Sequence, residues 1–351
     1  MRLHLISALL PLAASTLPAP VFAKPNGSSA VVTQNRSAES DPAIRELATA
    51  LEENFVFVEV GKAYAQMLRS KLEGGAYRHF PDLAGLAEQV TADLRAAHND
   101  RHLRVELIPP EAKAGRPAGE MRQRPQGSAV TKSGWLAPDV AYIRFSGFPG
   151  NQATKEDVRK FLETHEGARS LIVDLRDHRG GGLSEVDLIL SHMFDKETVL
   201  LAMDVRRAVE ERHGSPIPPQ PFIRIVPGPD QVVRREHFVV PAAGSTNLKK
   251  AQLFVLISGG TASAGEHFAM AVKRTGRGTL VGERTLGAGH FGGMFRLSES
   301  LAAFIPAGRT FDPDTNQGWE DTGIAPDIEV PADKALDEAL RLANARAEKG
   351  S

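Results

Sequence analysis

The sequence contains no cysteine, and this absence excludes disulfide bonds, thiolate metal ligands and a cysteine nucleophile. Aromatic residues are also few, at 6% of the chain. No sign of charge dominates, since 42 lysine and arginine residues face 43 aspartate and glutamate residues. This balance predicts neither a nucleic-acid partner nor attraction to an anionic membrane surface.

Long apolar runs are missing as well. The run from Leu5 to Ala14 is interrupted by Pro11 and falls short of the roughly 20 apolar residues that a membrane span requires. It follows the basic Arg2 and precedes a small-x-small sequence that ends at Ala23, which is typical of a secretory signal peptide. We therefore expect cleavage after Ala23 and an exported protein, periplasmic or secreted, with no stable membrane insertion.

The remaining chain divides into regions that differ in their pattern of apolar residues. Apolar residues at helical spacing, such as Leu47 and Leu51, change to a stretch crowded with proline and glycine, and then to apolar strands that alternate with helices. The predicted segments are a signal peptide at 1–23, a flexible lead-in at 24–41, a helical N-terminal domain at 42–108, a linker at 109–134, an α/β domain at 135–332 and a C-terminal helix and tail at 333–351.

The alternating segments predict an α/β fold with a mostly parallel sheet covered on both faces. Strands are expected at 140–145, 170–175, 253–257 and 279–282. Residues 203–245 are irregular in charge and proline content, so they are expected to be an insertion or a long excursion. Functional sites in such sheets lie at the carboxyl ends of the strands.

One of these carboxyl ends carries Ser263, where a buried strand turns into a helix. Ser263 and Glu266 form a Ser-x-x-Glu pattern, which favours an ordinary capping box. The same position also suits a nucleophile, because the free N–H groups and the dipole of the helix favour developing negative charge there. The local motif leaves both interpretations open.

A second turn carries Gly180, Gly181 and Gly182 directly after the strand that ends near Asp174. Glycines let the backbone approach a ligand and direct N–H groups toward it, as an oxyanion hole requires. An ordinary glycine turn between a strand and a helix would show the same pattern.

In order along the chain, several short blocks closely resemble the signature blocks of the tail-specific, or C-terminal processing, serine peptidases. They are Asp174-Leu175-Arg176 with the following glycines, Thr261-Ala262-Ser263-Ala264 with Glu266, Gly282-Glu283-Arg284-Thr285, and Gly323 to Ile328. The interphotoreceptor retinoid-binding-protein-like branch is the more similar one, because 54–57 and 100–103 resemble its helical N-terminal domain. The resemblance covers about residues 43–332.

This resemblance implies a crotonase/ClpP-like ββα core with a small N-terminal helical bundle and no PDZ domain. It also implies that Ser263 is the nucleophile and that the backbone N–H groups of Ala264 and of Gly180 or Gly181 stabilise the oxyanion. Ala288 stands where the family has its catalytic lysine, so a serine–lysine dyad of the usual kind is excluded.

A histidine is the natural replacement for the missing base, because its pKa lies near neutrality. His290 follows the lysine position by two residues, and His267 is the alternative, one helical turn after Ser263. Glu320 resembles an acidic residue of tricorn-type peptidases and could orient His290. His178 either lines the pocket or shapes the glycine turn.

The sequence therefore predicts an exported serine endopeptidase that acts through an acyl-enzyme on Ser263, with a peptide or unfolded protein as substrate. The histidines show no metal-ligand spacing, and no phosphate-binding loop occurs, so neither a metal nor another cofactor is expected. The alternative is a binding protein on the same fold that holds an apolar ligand or a peptide. No feature of the sequence specifies an oligomeric state.

Overall fold

A computed structural model describes residues 29–109, 127–244 and 247–347. The predicted signal peptide and most of the predicted linker lie outside these residues. Within the three described ranges, no helix combines the length and apolar character needed to cross a membrane.

The N-terminal region is helical, as predicted. It contains α1 (Ser29–Asn54), α2 (Val58–Glu73) and α3 (Leu83–Ala97). Residues 29–41 belong to α1, with Pro42 inside the helix, so this part of the expected lead-in is helical instead of irregular. Asp82 begins α3 by accepting a hydrogen bond from the Gly85 N–H at 2.8 Å, which satisfies one of the unpaired donors of the first turn.

The packing of α2 against α1 depends on Gly61. A Cβ atom at this position would lie 2.5 Å from the carbonyl oxygen of Leu51. Alanine favours a helix over glycine by about 1 kcal/mol, but a backbone oxygen cannot move aside cheaply. We expect Gly61→Ala to lower the free energy of unfolding by about 1–3 kcal/mol in urea titrations. Gly85→Ala is the matched control, because its Cβ would meet only ordinary contacts from 3.5 Å, and equal effects of the two changes would contradict the packing argument.

A six-stranded sheet forms the centre of the α/β region. Its spatial order is β12-β9-β8-β4-β3-β2, and only the β2–β3 pair is antiparallel. The strands are β2 (Val130–Ala137), β3 (Val140–Phe145), β4 (Ser170–Asp174), β8 (Gln252–Ile257), β9 (Thr279–Gly282) and β12 (Ile328–Glu329).

Helices cover both faces of this sheet, as the apolar strands indicated. Alternate strand residues such as Val173 and Val255 share a core with α4 (Gln152–Thr164), α5 (Ser184–Ser191) and α7 (Ala264–Arg274). The residues between them, such as Ile172 and Phe254, pack with α8 (Ala335–Ala347) on the other face. The mixed α/β class with an N-terminal helical region is therefore confirmed.

A second, antiparallel sheet was not expected from the sequence. It has the order β1-β11-β5-β7-β6, with β10 also paired to β11. Residues 203–245 are thus not an irregular excursion, because they supply the end of one strand, two further strands and the short helix α6 (Arg207–His213). The strands are β1 (Arg104–Leu107), β5 (Thr198–Arg206), β6 (Ile223–Val226), β7 (Val232–Val239), β10 (His290–Arg296) and β11 (Leu301–Phe311).

The N-terminal helices pack on this second sheet. Leu301 and Ile305 of β11 share one apolar core with α1, α2 and α3, and β1 pairs with β11 directly after the helical region. Between β1 and β2, the described residues form no further folded module, and no PDZ domain is present among them. The segment that joins α3 to β1 is consequently held against the end of β10, where His290 begins the strand.

Candidate active site

Ser263 occupies a strained turn between β8 and α7. Its φ of 52° and ψ of −116° are rare for a residue with a side chain and cost about 1–3 kcal/mol, so the surrounding contacts must impose them. The Ala262 N–H donates to the His178 carbonyl at 2.9 Å, and the Thr261 hydroxyl donates to the Leu175 carbonyl at 2.8 Å. A strained strand-to-helix turn of this kind exposes the nucleophile in α/β-hydrolases.

The carboxylate of Glu266 holds this turn against the loop that follows β9. One oxygen, Oε2, accepts the N–H groups of Ser263 and Ala288, each at 2.8 Å. The other oxygen, Oε1, accepts the Thr285 hydroxyl at 2.6 Å and the Gly287 N–H at 2.7 Å. Burial raises the pKa of the Glu266 carboxyl, and these four hydrogen bonds oppose that shift. The predicted capping contact from Glu266 is therefore present, and it also fixes the loop that carries Ala288.

We expect Glu266→Gln to lower the free energy of unfolding by about 1–3 kcal/mol, measured by denaturant titration. Both carboxylate oxygens accept a backbone N–H, so either orientation of the amide turns an N–H donor toward another donor in a buried place. Glu338→Gln is the matched control, because Glu338 pairs with Arg341 on the exposed surface of α8 and should change stability by less than about 0.5 kcal/mol. Equal stability of the two variants would show that Glu266 does not hold the turn.

Ser263 faces a cavity of about 170 Å³ at the junction of the two sheets. The predicted site residues Ala264, His267, His290 and Gly181 line it as well. The remaining wall is mostly apolar and includes Leu183, Met203, Ile217, Ala288, Phe291 and Trp319. Several separate segments of the chain thus meet at one concave place, which is where a binding or catalytic site is expected.

His290 enters this cavity with one ring nitrogen already bound. Its Nδ1 lies 2.7 Å from Oδ2 of Asp100, a buried carboxylate in the segment between α3 and β1. The other oxygen of Asp100 accepts the N–H groups of His102 and Leu103, each at 2.9 Å, which fixes the carboxylate. Phe57 packs edge-on against the imidazole ring at 5.5 Å. A carboxylate at Nδ1 leaves Nε2 as the unprotonated, basic nitrogen of a neutral imidazole.

The sequence did not single out Asp100, although it lies in the block 100–103 that carries part of the family resemblance. The sequence analysis considered Glu320 as the residue that orients His290. In the structure, Asp100 occupies the position next to Nδ1 of His290. Oε2 of Glu320 lies 3.9 Å from that nitrogen.

Glu320 instead binds the backbone on both sides of this contact. Oε2 accepts the N–H groups of Gly289 and His290 at 2.6 and 2.8 Å, and Oε1 accepts the Arg101 N–H at 2.6 Å. Burial alone would raise the pKa of Glu320, but His102, His290 and these donors lower it below its usual value. Glu320 therefore holds the His290 loop and the Asp100 segment together.

The glycine turn packs directly against Ser263. A Cβ atom on Gly180 would lie 3.0 Å from the Ser263 Cβ, and both Gly180 and Gly181 have a positive φ, of 101° and 141°. The Gly180 N–H donates to Nδ1 of His178 at 3.1 Å, so it is already used. Gly181 lines the cavity, and the N–H of Ala264 is one of the first-turn donors that a helix leaves free. The geometry therefore favours Gly181 over Gly180 as an anion donor.

His178 lies inside the turn and does not line the cavity. Its ring is fully buried against Phe148, with ring centroids 4.1 Å apart. Burial lowers the pKa of His178 to about 3. It is therefore neutral at physiological pH and shapes the turn instead of carrying protons.

Comparison with known proteins gives the family. Residues 139–330, more than half of the chain, match Peptidase family S41. The chain belongs to this family. Residues 32–133 match the N-terminal domain of Peptidase_S41 in eukaryotic IRBP, which agrees with the resemblance in the helical region.

Individual members of family S41 are distant relatives. Carboxyl-terminal-processing peptidase 2 of Arabidopsis thaliana is 27% identical over 210 residues, which are 59% of this chain and 35% of the relative. The carboxyl-terminal-processing protease of Picosynechococcus is 28% identical over 194 residues, 55% of this chain and 39% of the relative. The chain thus matches well under half the length of these relatives.

A solved structure of a candidate peptidase from Parabacteroides merdae has the same fold. It superposes with a TM-score of 0.61 at 16% identity, over 87% of this chain and 96% of the other. At this level of identity, the likeness supports the fold and not the chemistry.

Within this S41 chain, the place of the usual lysine is filled by Ala288, which is buried and donates its N–H to Glu266. No lysine is among the described residues that line the cavity. Lys273, on the same helix as Ser263, binds the Ala325 carbonyl at 3.0 Å and the Asp327 carboxylate at 2.5 Å instead. The available bases at the cavity of this S41 protein are therefore His290 and His267.

Asp100, His102 and Glu320 lie close enough together to be considered as metal ligands, with their ligand atoms within 4.8 Å of one another. Both carboxylates already have hydrogen-bond donors, because Asp100 accepts two N–H groups and meets His290, while Glu320 accepts three N–H groups. Of the three side chains, only His102 has a ring nitrogen, Nδ1, without a hydrogen-bond partner among the described residues. Backbone N–H groups carry positive partial charge, so they would repel a cation at the same oxygens. The cluster is therefore better described as a set of structural hydrogen bonds than as a metal site.

Proposed function

We propose that this S41 family protein is an exported serine-type endopeptidase whose catalytic residues are Ser263, His290 and Asp100. The observation that carries the proposal is the meeting of Ser263 and His290 at one cavity, with the buried Asp100 carboxylate 2.7 Å from Nδ1 of His290. Nucleophile, base and orienting carboxylate are the parts that serine hydrolysis requires. Export rests on the sequence of residues 1–23.

In the proposed reaction, the Ser263 hydroxyl attacks the carbonyl carbon of a peptide bond while Nε2 of His290 takes the hydroxyl proton. The resulting oxyanion accepts hydrogen bonds from the N–H groups of Ala264 and Gly181. His290 then donates the proton to the departing amine, which leaves an acyl group on Ser263. Water then attacks the acyl group while Nε2 of His290 takes one of its protons, and His290 returns this proton to the Ser263 oxygen as the acid product leaves.

The substrate in this proposal is a peptide or an unfolded protein segment. A larger cleft of about 1030 Å³ adjoins the cavity and shares Gly181, Leu183 and Pro218 with it. A single amino-acid derivative does not need this additional length, whereas an extended chain on both sides of a cleaved bond does. The larger cleft therefore favours a polymeric substrate.

The test is labelling with a serine-directed fluorophosphonate. We expect the folded protein to be labelled and Ser263→Ala to lose the label, because Ser263 is the serine that the site activates. Ser258→Ala is the matched control: Ser258 lies in the same turn but donates its hydroxyl to the Arg176 carbonyl at 2.6 Å. Persistence of the label in Ser263→Ala would remove Ser263 from the mechanism.

A second candidate is a protein of the same fold that binds a peptide or an apolar ligand without cleaving it. The presence of Ala288 at the lysine position favours this candidate. Absence of labelling of the folded protein at any pH, together with peptide binding, would support it over the peptidase.

A further inference from the structure

Two buried histidines and a partly buried aspartate that the proposed mechanism does not use are joined by hydrogen bonds beside the cavity. Asp187 lies on α5, His237 on β7 and His267 on α7. Oδ1 of Asp187 is 2.7 Å from Nε2 of His237, whose Nδ1 is 2.8 Å from Nε2 of His267. His237 is 0% exposed and His267 4%. Buried polar groups cost free energy unless they are paired, so a cluster of this kind is unusual in a core that serves packing alone.

These hydrogen bonds determine where the protons of both histidines lie. An ionised carboxylate only accepts hydrogen bonds, so Nε2 of His237 carries a proton. When the His237 ring carries no second proton, its Nδ1 is an acceptor, and Nε2 of His267 then carries the proton that binds it. Burial lowers the pKa of His267 well below its usual value, which agrees with a neutral His267 ring. Nδ1 of His267 is left with a lone pair.

His267 lines the cavity. Nδ1 of His267 has no hydrogen-bond partner among the described residues, and it is not one of the sealed polar atoms without a partner. His267 follows Ser263 by four residues, a rise of about 6 Å along a helix. Both residues line the cavity, with Ser263 partly buried and His267 almost fully buried, so we place the nucleophile at the outer end and the acceptor at the inner end.

The size and wall of the cavity define what fits between these two ends. Its volume of about 170 Å³ is below the range of whole-ligand sites and suits one side chain. Met203, Ile217 and Phe291 supply apolar walls.

We propose that this cavity binds the side chain of the residue whose carbonyl Ser263 attacks, and that His267 selects glutamine there by accepting a hydrogen bond from its amide. The inference rests on the proposed function. Glutamine has an apolar stem that suits the walls and an uncharged N–H donor at its end. Leucine and ionised glutamate both lack such a donor.

The expected preference for glutamine over leucine is about tenfold, the factor that one net hydrogen bond between neutral groups supplies. The substrates are 7-amino-4-methylcoumarin amides of acetyl-Ala-Ala-Gln and acetyl-Ala-Ala-Leu, because the coumarin amide defines the bond to be cleaved. Equilibrium binding is measured with the full-length Ser263→Ala protein, and hydrolysis with the wild type. His267→Phe should bind both compounds equally.

Two variants of His237 test the proposed tautomer of His267. A purely structural role of His237 would not predict a difference in glutamine preference between them. In His237→Gln, the amide oxygen can still accept the proton of His267 Nε2, so the preference for glutamine should be retained. In His237→Leu the acceptor is lost, the tautomer of His267 is no longer fixed, and the preference should fall. ¹⁵N chemical shifts of the imidazole rings report the tautomer in both variants, and thermal unfolding reports whether each variant is folded.

Equal affinity of Ser263→Ala for the two compounds, or no binding of either, would overturn this inference. Retention of the full preference in His237→Leu would overturn the part assigned to His237. If Ser263→Ala prefers the glutamine compound but the wild type hydrolyses neither, the proposed peptidase function fails while the assignment of the cavity stands.

Discussion

Replacing His290 by alanine is expected to lower kcat toward a peptide substrate on the order of 10⁶-fold, about as much as removing the serine itself. His290 is the proposed base, and it lines the same cavity as Ser263 with a buried carboxylate at Nδ1. Without it, the hydroxyl of Ser263 keeps its proton and attacks the carbonyl only weakly. Single-turnover kinetics with the coumarin amide of acetyl-Ala-Ala-Gln would measure the loss in the acylation step.

The control for His290→Ala is His79→Ala, which removes an exposed histidine of the N-terminal region. Because the His290 ring packs against Phe57, thermal unfolding of the variant must show that it is folded at the assay temperature. Undiminished hydrolysis by a folded His290→Ala protein would exclude His290 as the base. His267 would then be the remaining histidine at the cavity.

The sequence predicted the parallel sheet well because its inner strands are buried on both faces. Every residue of β4 is buried, and its centre, 171–173, is entirely apolar. Strand β7 of the second sheet carries Arg234 and Arg235, whose charges are satisfied by Asp204 and Glu210 in neighbouring elements. Such a strand has no clean apolar alternation, and the acidic partners Asp204 and Glu210 lie 30 and 25 residues away from the arginines. The antiparallel sheet could therefore not be recognised from the pattern.

In the candidate site, too, the sequence predicts only those contacts that neighbouring parallel strands impose. Ser263 and the glycine turn follow β8 and β4, which are adjacent parallel strands, so their carboxyl ends meet at one edge and topology alone predicts their proximity. Asp100 is 190 residues away from His290, and only the docking of the N-terminal helices on β11 brings the two together. Glu320 was a reasonable candidate by resemblance, but its oxygens are occupied by backbone N–H groups.

Asp100→Asn is expected to lower kcat about 10⁴-fold while leaving the fold intact. The Oδ1 atom of the asparagine can keep the two hydrogen bonds from His102 and Leu103. Its amide nitrogen then replaces Oδ2 and donates to Nδ1 of His290, so the proton of the imidazole moves to Nε2. That nitrogen can no longer accept the proton of Ser263. The same exchange in serine proteases produces the wrong tautomer at a cost of this size.

The tautomer itself distinguishes this mechanism from a loss of structure. The ¹⁵N shifts of His290 should show Nδ1 protonated in the wild type and Nε2 protonated in Asp100→Asn, with similar unfolding temperatures. Asp333→Asn, a change at an exposed carboxylate, is the control and should keep full activity. Wild-type kcat in Asp100→Asn would mean that the N-terminal region serves only packing. A loss of 10⁴-fold with a switched tautomer would mean that the N-terminal region supplies a catalytic residue, so that neither region forms the active site alone.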